Sequence, residues 1–150
     1  MQKHTALSYA SSLMSKLGSG VPAMRHCSFG ELRDDIRNNL ELLLNTRQRA
    51  GDCAMTDATG KGSAVTFGVS DAVLADVGTA RGQHTLREHI ERRVSQFEPR
   101  LRRVHVEIVA VKSGVLHFRI DAEIAVHADV VRFESRLDPQ RKTLSITGVQ

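Results

Sequence analysis

The hydrophobic period of the chain changes abruptly at residues 97–101, Phe-Glu-Pro-Arg-Leu, and this change constrains the fold more than any other stretch. Before it, apolar residues recur at the spacing of an amphipathic helix, at Leu86, Ile90, Val94 and Phe97. After it, Val104, Val106 and Ile108 alternate with His105 and Glu107, as in a strand. Pro99 fixes the boundary, because it lacks an amide hydrogen and pushes Glu98 out of the helical region. The sequence therefore predicts a rigid kink between a helix and a sheet, flanked by Glu98 and Arg100.

Two helices are predicted in the first third of the chain. Residues 6–17 carry a narrow apolar face and predict a modest amphipathic helix. Ser28 and Glu31 form a capping box for a second helix that runs to about Thr46. This second helix has the strongest apolar stripe in the chain, made by Leu32, Ile36, Leu40, Leu43 and Leu44.

Two more helices are predicted before the kink. A short one covers 70–77, with Ser70 as its N-cap. A loop over 79–84 then leads to the helix that precedes the kink, for which Thr85 is the predicted N-cap and Glu88 completes a capping box. The glycine-rich segment 49–65 predicts a mobile loop, because small polar residues bury little when they become ordered.

Strand patterns fill the chain after the kink. They cover 104–111 and 116–126, then the residues around Val131 and Phe133, and finally those around Leu144 and Ile146, with turns at 112–114 and 138–140. Helices followed by a strand meander predict an α+β fold, with N-terminal helices packed on one face of a mostly antiparallel C-terminal sheet of about four strands. The length of 150 residues fits a single domain, 1–150, in which 1–27 form a helix and linker and 28–150 the main body.

Composition narrows the function classes. Hydrophobic residues make up 41% of the chain, enough for a core, and the net charge of +4 comes without a dense basic run. We therefore expect no nucleic-acid partner. No stretch reaches the roughly 20 apolar residues of a membrane span, and no signal peptide is recognisable, which predicts a cytoplasmic protein without direct membrane insertion. Cys27 and Cys53 have neither metal-ligand spacing nor the density of a disulfide scaffold.

Polar residues on the strands are the candidates for chemistry. His105 and Glu107 share one strand face, and His117, Asp121, Glu123 and His127 share a face of the next strand. A metal would need two of the histidines to converge across strands, for example His105 with His117, whereas a solvated face with cross-strand charge pairs explains the same residues. We expect no metal and no cofactor.

Hydrolysis of cell-wall glycans is the alternative function that the residues leave open. In that hypothesis Glu98 is the acid and Asp121 or Glu123 its partner carboxylate, as glycoside hydrolysis requires. The arginines beside Glu98 favour its ionised form, however, and so favour binding or structure over acid catalysis.

Five stretches together resemble a known family. Phe-Glu-Pro-Arg-Leu at 97–101, after a short helix and before a strand, resembles the signature of the E subunit of type VI secretion baseplates (the TssE family), which is similar to the lysozyme-like baseplate wedge protein of contractile-tailed phages. Leu-Leu-Asn-Thr-Arg at 43–47 and Thr-Phe-Gly-Val at 66–69 also resemble family segments, although Phe67 stands where members usually carry Tyr. The strands at 116–122 and 131–135 complete the resemblance, which covers 28–150.

The resemblance implies a non-enzymatic part of a contractile injection machine, within a baseplate assembled at the inner membrane. It implies that the kink of Glu98, Pro99 and Arg100 docks on other baseplate wedge subunits. It also implies that sheath subunits build on the last strand. Because only one edge of a final strand pairs with its neighbour, the sequence predicts an open edge at Leu144 and Ile146 for strand addition.

Overall fold

The computed structural model describes residues 7–10, 24–48, 67–126 and 128–149. They contain the strands β1 (Leu7–Ala10), β2 (Met24–Cys27), β3 (Arg47–Gln48), β4 (Val69–Ser70), β5 (Leu101–Lys112), β6 (Val115–Ile124), β7 (Val130–Asp138) and β8 (Thr143–Val149), and the helices α1 (Phe29–Asn45), α2 (Asp71–Ala75) and α3 (Ala80–Phe97). The chain divides into two compact units, Met1–Asn39 and Leu40–Gln150. The loop predicted over 49–65, Cys53 and His127 lie outside the described residues, and the single-domain prediction stays a prediction.

The first described element is a strand, where the sequence predicts a helix. β1 pairs antiparallel with β2, with Leu7 opposite Cys27 and Ala10 opposite Met24. The predicted helix over 6–17 is therefore wrong at Leu7–Ala10, and residues 11–17 lie outside the described part of the chain. A helical period counted within one segment cannot detect the ladder of hydrogen bonds that a second, distant segment offers.

The capping box at the start of α1 is confirmed. The Ser28 amide donates to Glu31 Oε2 at 2.7 Å, and the Glu31 amide donates to Ser28 Oγ at 3.3 Å. This reciprocal pair satisfies two amides that a helix start leaves without intrahelical partners. The helix then continues to Asn45, one residue short of the predicted end at Thr46.

A four-stranded antiparallel sheet dominates the second unit, in the order β5-β6-β7-β8. Its strands follow one another along the chain as hairpins, and every second side chain of β6 is buried. α3 packs against β5 and contributes Leu86, Ile90 and Val94 to the core. The sheet supplies Leu116, Phe118, Ile120, Ile124, Phe133 and Leu137 to the same core. The predicted α+β fold, with helices before an antiparallel sheet of about four strands, is confirmed.

α3 begins earlier than the sequence predicts. Its N-cap is Thr79, whose Oγ1 accepts a hydrogen bond from the Gly82 amide at 3.0 Å. Thr85 lies inside the helix, where its hydroxyl donates to the Arg81 carbonyl. The predicted N-cap at Thr85 and the loop over 79–84 are therefore wrong. The first turn carries few apolar residues, so hydrophobic periodicity does not detect it, whereas the cap at Thr79 stabilises it.

Candidate functional site: the kink and the last strand

The helix-to-strand kink is a tight turn closed by backbone hydrogen bonds. α3 ends at Phe97, and the Glu98 amide still donates to the Val94 carbonyl at 2.8 Å. The Leu101 amide donates back to the Glu98 carbonyl at 3.0 Å, which closes the turn around Pro99. Pro99 itself is exposed, so the tip of the kink faces solvent. The predicted position of the break is confirmed to the residue.

Glu98 and Arg100 form a two-pronged ion pair beneath that tip. Arg100 Nε donates to Glu98 Oε1 at 2.6 Å, and Arg100 Nη2 donates to Glu98 Oε2 at 2.7 Å. The Glu98 side chain is only 4% exposed and that of Arg100 13%. A pair of this geometry locks the turn, because its two parallel N–H···O bonds fix the orientation of both side chains. The ion pair therefore lies within the fold, beneath the exposed tip of the kink.

An aromatic contact supports the end of α3. The rings of Phe67 and Phe97 lie edge to face, with centroids 5.2 Å apart and planes at 80°. Gly68 follows with φ at +108°, and a Cβ there would lie 2.5 Å from the Thr46 carbonyl oxygen. The aromatic-glycine step at 67–68 therefore joins the end of α3 to the residue that follows α1. The sequence shows the two aromatic residues, but only the fold brings them together.

His89 on α3 is a half-buried histidine that the sequence analysis does not single out. Partial burial, followed by the charges of Arg93 and Arg92, lowers the pKa of His89 to about 4, and a hydrogen bond with the backbone of Gly68 opposes this shift. The imidazole is therefore neutral at physiological pH. No sequence pattern marks this histidine, because the largest cause of its pKa shift is burial, which depends on the fold.

The outer edge of β8 is occupied, where the sequence predicts an open edge. The Leu144 amide donates to Asn45 Oδ1 at 2.8 Å, and Asn45 Nδ2 donates to the Leu144 carbonyl at 2.8 Å. The Ile146 amide donates to Glu41 Oε1 at 2.8 Å. Both strand residues also bury their side chains in the core. The open-edge prediction is therefore wrong at Leu144 and Ile146 in this conformation, because polar side chains from the end of α1 satisfy the edge.

The polar face of the sheet carries cross-strand ion pairs. Asp121 lies between Arg119 Nε, at 3.0 Å, and Arg132 Nε, at 2.8 Å, and Arg119 also pairs with Glu107. Burial would raise the pKa of Asp121, but the hydrogen bonds and charges of Arg132 and Arg119 outweigh it and hold the pKa of this carboxyl below its usual range. The predicted charge pairs across strands are confirmed for these residues.

The strand register decides which histidines and carboxylates meet. His105 lies opposite Asp121 on β6, whereas His117 lies opposite Ala110. His105 and His117 therefore do not converge, and within the described ranges no three histidine, cysteine or carboxylate side chains form a group that could hold a metal. The carboxylates of the hydrolase hypothesis are paired with arginines, Glu98 with Arg100 and Glu123 with Arg103.

The α+β fold holds its polar motif in a largely buried ion pair, and helix side chains cover the outer edge of its last strand. The family model described as "Baseplate wedge protein gp25" matches residues 30–129, two-thirds of the chain. The chain therefore belongs to the gp25 baseplate wedge family, whose role is structural. The family resemblance is confirmed over these residues, which include the kink, the helix end at 43–47 and the strand at 116–122.

Two further findings bound this assignment. No curated protein matches the chain. Among the residues that the structure describes, no helix is long and apolar enough to cross a membrane.

Proposed function

We propose that this protein is a non-enzymatic component of a type VI secretion baseplate that docks on other wedge subunits and nucleates sheath assembly. The family match over residues 30–129 carries the proposal, because it includes the kink at Glu98, Pro99 and Arg100. In this proposal the protein works in the cytoplasm, within a baseplate assembled at the inner membrane.

The kink divides into a supporting part and a contacting part. The Glu98–Arg100 ion pair is buried and fixes the turn, whereas Pro99 and the neighbouring Arg102 are exposed. A partner would touch the proline tip and the Arg102 guanidinium, on a turn whose shape the ion pair has set in advance. Rigid surfaces of this kind bind at lower entropic cost, because little has to be ordered on contact.

A charge reversal at the exposed Arg102 tests docking without disturbing the fold. Arg102→Glu should weaken capture of the protein by the other wedge subunits in a co-expression pull-down, and its circular dichroism spectrum should match the parent protein. Arg141→Glu, an equal reversal on the exposed turn between β7 and β8, is the matched control and should be captured normally. Normal capture of the Arg102→Glu variant would place the docking surface elsewhere.

The sheath contact is proposed for β8, the last strand of the sheet. Backbone hydrogen bonds to an incoming strand would supply affinity, and the alternation of Leu144 and Ile146 would set the register. Truncation after Arg141 removes this strand. If a truncated protein that still folds supports normal sheath assembly, β8 is not the nucleating strand.

A direct assay can test the proposal that the protein is not a glycoside hydrolase. Glycoside hydrolysis needs an acid that carries a proton, and Glu98 is held by both nitrogens of a guanidinium fork instead. A peptidoglycan zymogram of the purified protein should show no clearing. Clearing that disappears in Glu98→Gln would overturn the structural role and favour the hydrolase.

A further inference from the structure

Side chains near the C-terminal end of α1 cover the outer edge of β8 as another strand would. Successive backbone groups on that edge are each bonded: the Lys142 carbonyl by Arg47 Nη2, both Leu144 groups by Asn45, and the Ile146 amide by Glu41. These are the groups that point away from β7, because backbone groups of alternate residues face opposite edges of a strand. Between Lys142 and Ile146 the three side chains therefore take the places of a fifth strand.

The spacing of the helix matches the spacing of the strand. Glu41 and Asn45 are one helical turn apart, about 6 Å, and Leu144 and Ile146 are two strand residues apart, about 7 Å. The Asn45 amide both accepts from and donates to Leu144, at 2.8 Å each, as a backbone peptide group does in an antiparallel pair. The side chains of α1 therefore make hydrogen bonds to β8 at the spacing that a paired strand would use.

We infer that Glu41, Asn45 and Arg47 form a latch that keeps β8 closed to strand addition until a partner strand displaces them. The inference rests on the proposed role of β8 in sheath attachment and names the regulation of that site. The partner that fits the proposed function is an extended segment of a sheath subunit, because its backbone would satisfy the same amides and carbonyls in the same register. A closed edge also prevents unwanted pairing before the baseplate assembles.

The latch is built to be exchanged. Asn45 is exposed and Glu41 and Arg47 are half-buried, so water and a competing strand can reach their hydrogen bonds. Leu144 and Ile146 keep their side chains in the core when the latch opens, because those side chains point to a different side from the bonded backbone groups. Rotation of these side chains therefore exposes the backbone groups of β8 while Leu144 and Ile146 stay packed in the core.

Amide exchange tests the latch in the isolated protein. In Glu41→Ala/Asn45→Ala the amides of Leu144 and Ile146 should exchange about fivefold faster or more, whereas that of Ser145, which faces β7, should stay protected. Asp34→Ala/Asn38→Ala is the matched control, since it also removes one carboxylate and one side-chain amide four residues apart, but from exposed positions of α1. Unchanged exchange at Leu144 and Ile146 would overturn the inference. If the double variant does not fold, Glu41→Ala alone should accelerate Ile146 and leave Leu144 as an internal reference.

Binding of the purified sheath subunit of the same secretion system tests the regulation. If the latch leaves about 1–10% of molecules open, removing it should raise the apparent affinity about 10- to 100-fold. Equal affinity of the parent protein and the double variant would overturn the latch while sheath attachment stands. Binding by neither would overturn sheath attachment, and the latch with it. Self-association of the variant without gain in sheath affinity would assign the edge to a second copy of this chain and overturn the inference.

Discussion

At the scale of single residues, the Glu98–Arg100 pair shows how a charged motif contributes to structure. The turn that joins α3 to β5 has only a few backbone hydrogen bonds of its own, and the two charges cross it with donor–acceptor distances of 2.6 and 2.7 Å. Burial strengthens their attraction, since little water screens it, but it also makes each charge dependent on the other. The Glu98–Arg100 pair therefore stabilises the turn of the protein itself, whether or not a partner binds there.

Breaking the pair should destabilise the protein rather than leave it untouched. Arg100→Ala and Glu98→Ala should each lower the free energy of unfolding by about 3–5 kcal/mol, because each breaks a largely buried, two-pronged ion pair. Urea denaturation followed by circular dichroism measures this loss. Arg103→Ala breaks the exposed pair with Glu123 and, as a control, should cost at most about 1 kcal/mol. Equal small losses in all three variants would show that the buried pair does not hold the turn.

His89 should make stability depend on pH. Its pKa of about 4 lies below the ordinary value, so below pH 6.5 the unfolded chain binds a proton that the folded protein does not. Stability should therefore fall as the pH drops from 6.5 to 4, by at most about 3 kcal/mol before solvent screening reduces it. The urea midpoint at pH 7 and pH 4.5 measures the change, and His89→Gln should flatten it. The exposed His84→Gln variant should keep the full pH dependence.

At the scale of elements, close approaches determine where helices begin. Gly82 lies in the first turn of α3, and a Cβ there would lie 1.7 Å from the Asp76 carbonyl oxygen. The loop after α2 therefore crosses the start of α3 at a distance that only glycine permits. Thr79 caps the same turn, so both residues together fix the start of the helix.

Gly82→Ala should destabilise the protein by about 1–3 kcal/mol or more, because the loop backbone has to move away. Gly78→Ala is the matched control, since a Cβ at Gly78 meets nothing within 4 Å, and it should stay within about 0.5 kcal/mol of the parent protein. Thermal unfolding compares the two variants. Equal midpoints would contradict the close approach at Asp76.

Alternate residues of β8 direct their backbone amides and carbonyls to opposite edges of the strand. Ser145 pairs with Arg136, and its amide faces β7, because the Leu144 and Ile146 amides face α1. Ser145→Pro should therefore break the ladder to β7 and destabilise the sheet, instead of blocking only its outer edge. Hydrogen exchange across β7 measures this damage. Unchanged protection of β7 in the variant would reverse the assignment of the two edges.

At the scale of the whole sheet, helix side chains bond the backbone of both edge strands. On β5 the Val106 amide donates to Glu91 Oε1 of α3 at 2.8 Å, and on β8 the amides of Leu144 and Ile146 donate to side chains of α1. Edge strands with free amides tend to pair with other chains, so each of these contacts reduces that tendency.

The isolated protein should therefore be a monomer in solution at concentrations of tens of micromolar. Sedimentation velocity measures this directly, and Glu41→Ala/Asn45→Ala is the variant in which a dimer is expected to increase. A stable dimer of the parent protein that survives in high salt would contradict the role of these edge contacts.

The sequence alone determined the features that depend on neighbours along the chain. The capping box at Ser28 and Glu31, the break at Pro99 and the alternation along β6 follow from local rules, and the structure confirms them. Helix caps and periods act within about four residues, so a single segment contains all the information they need.

Only the tertiary structure decided the features that depend on distant partners. β1 is a strand because β2 pairs with it, and the burial of Glu98 depends on how its turn packs in the fold. The edge of β8 is closed because Asn45 lies 99 residues before Leu144 in the chain and beside it in the fold. A hydrogen bond or a buried charge depends on the atoms within a few ångströms, and in a sheet those atoms come from segments that no local period identifies.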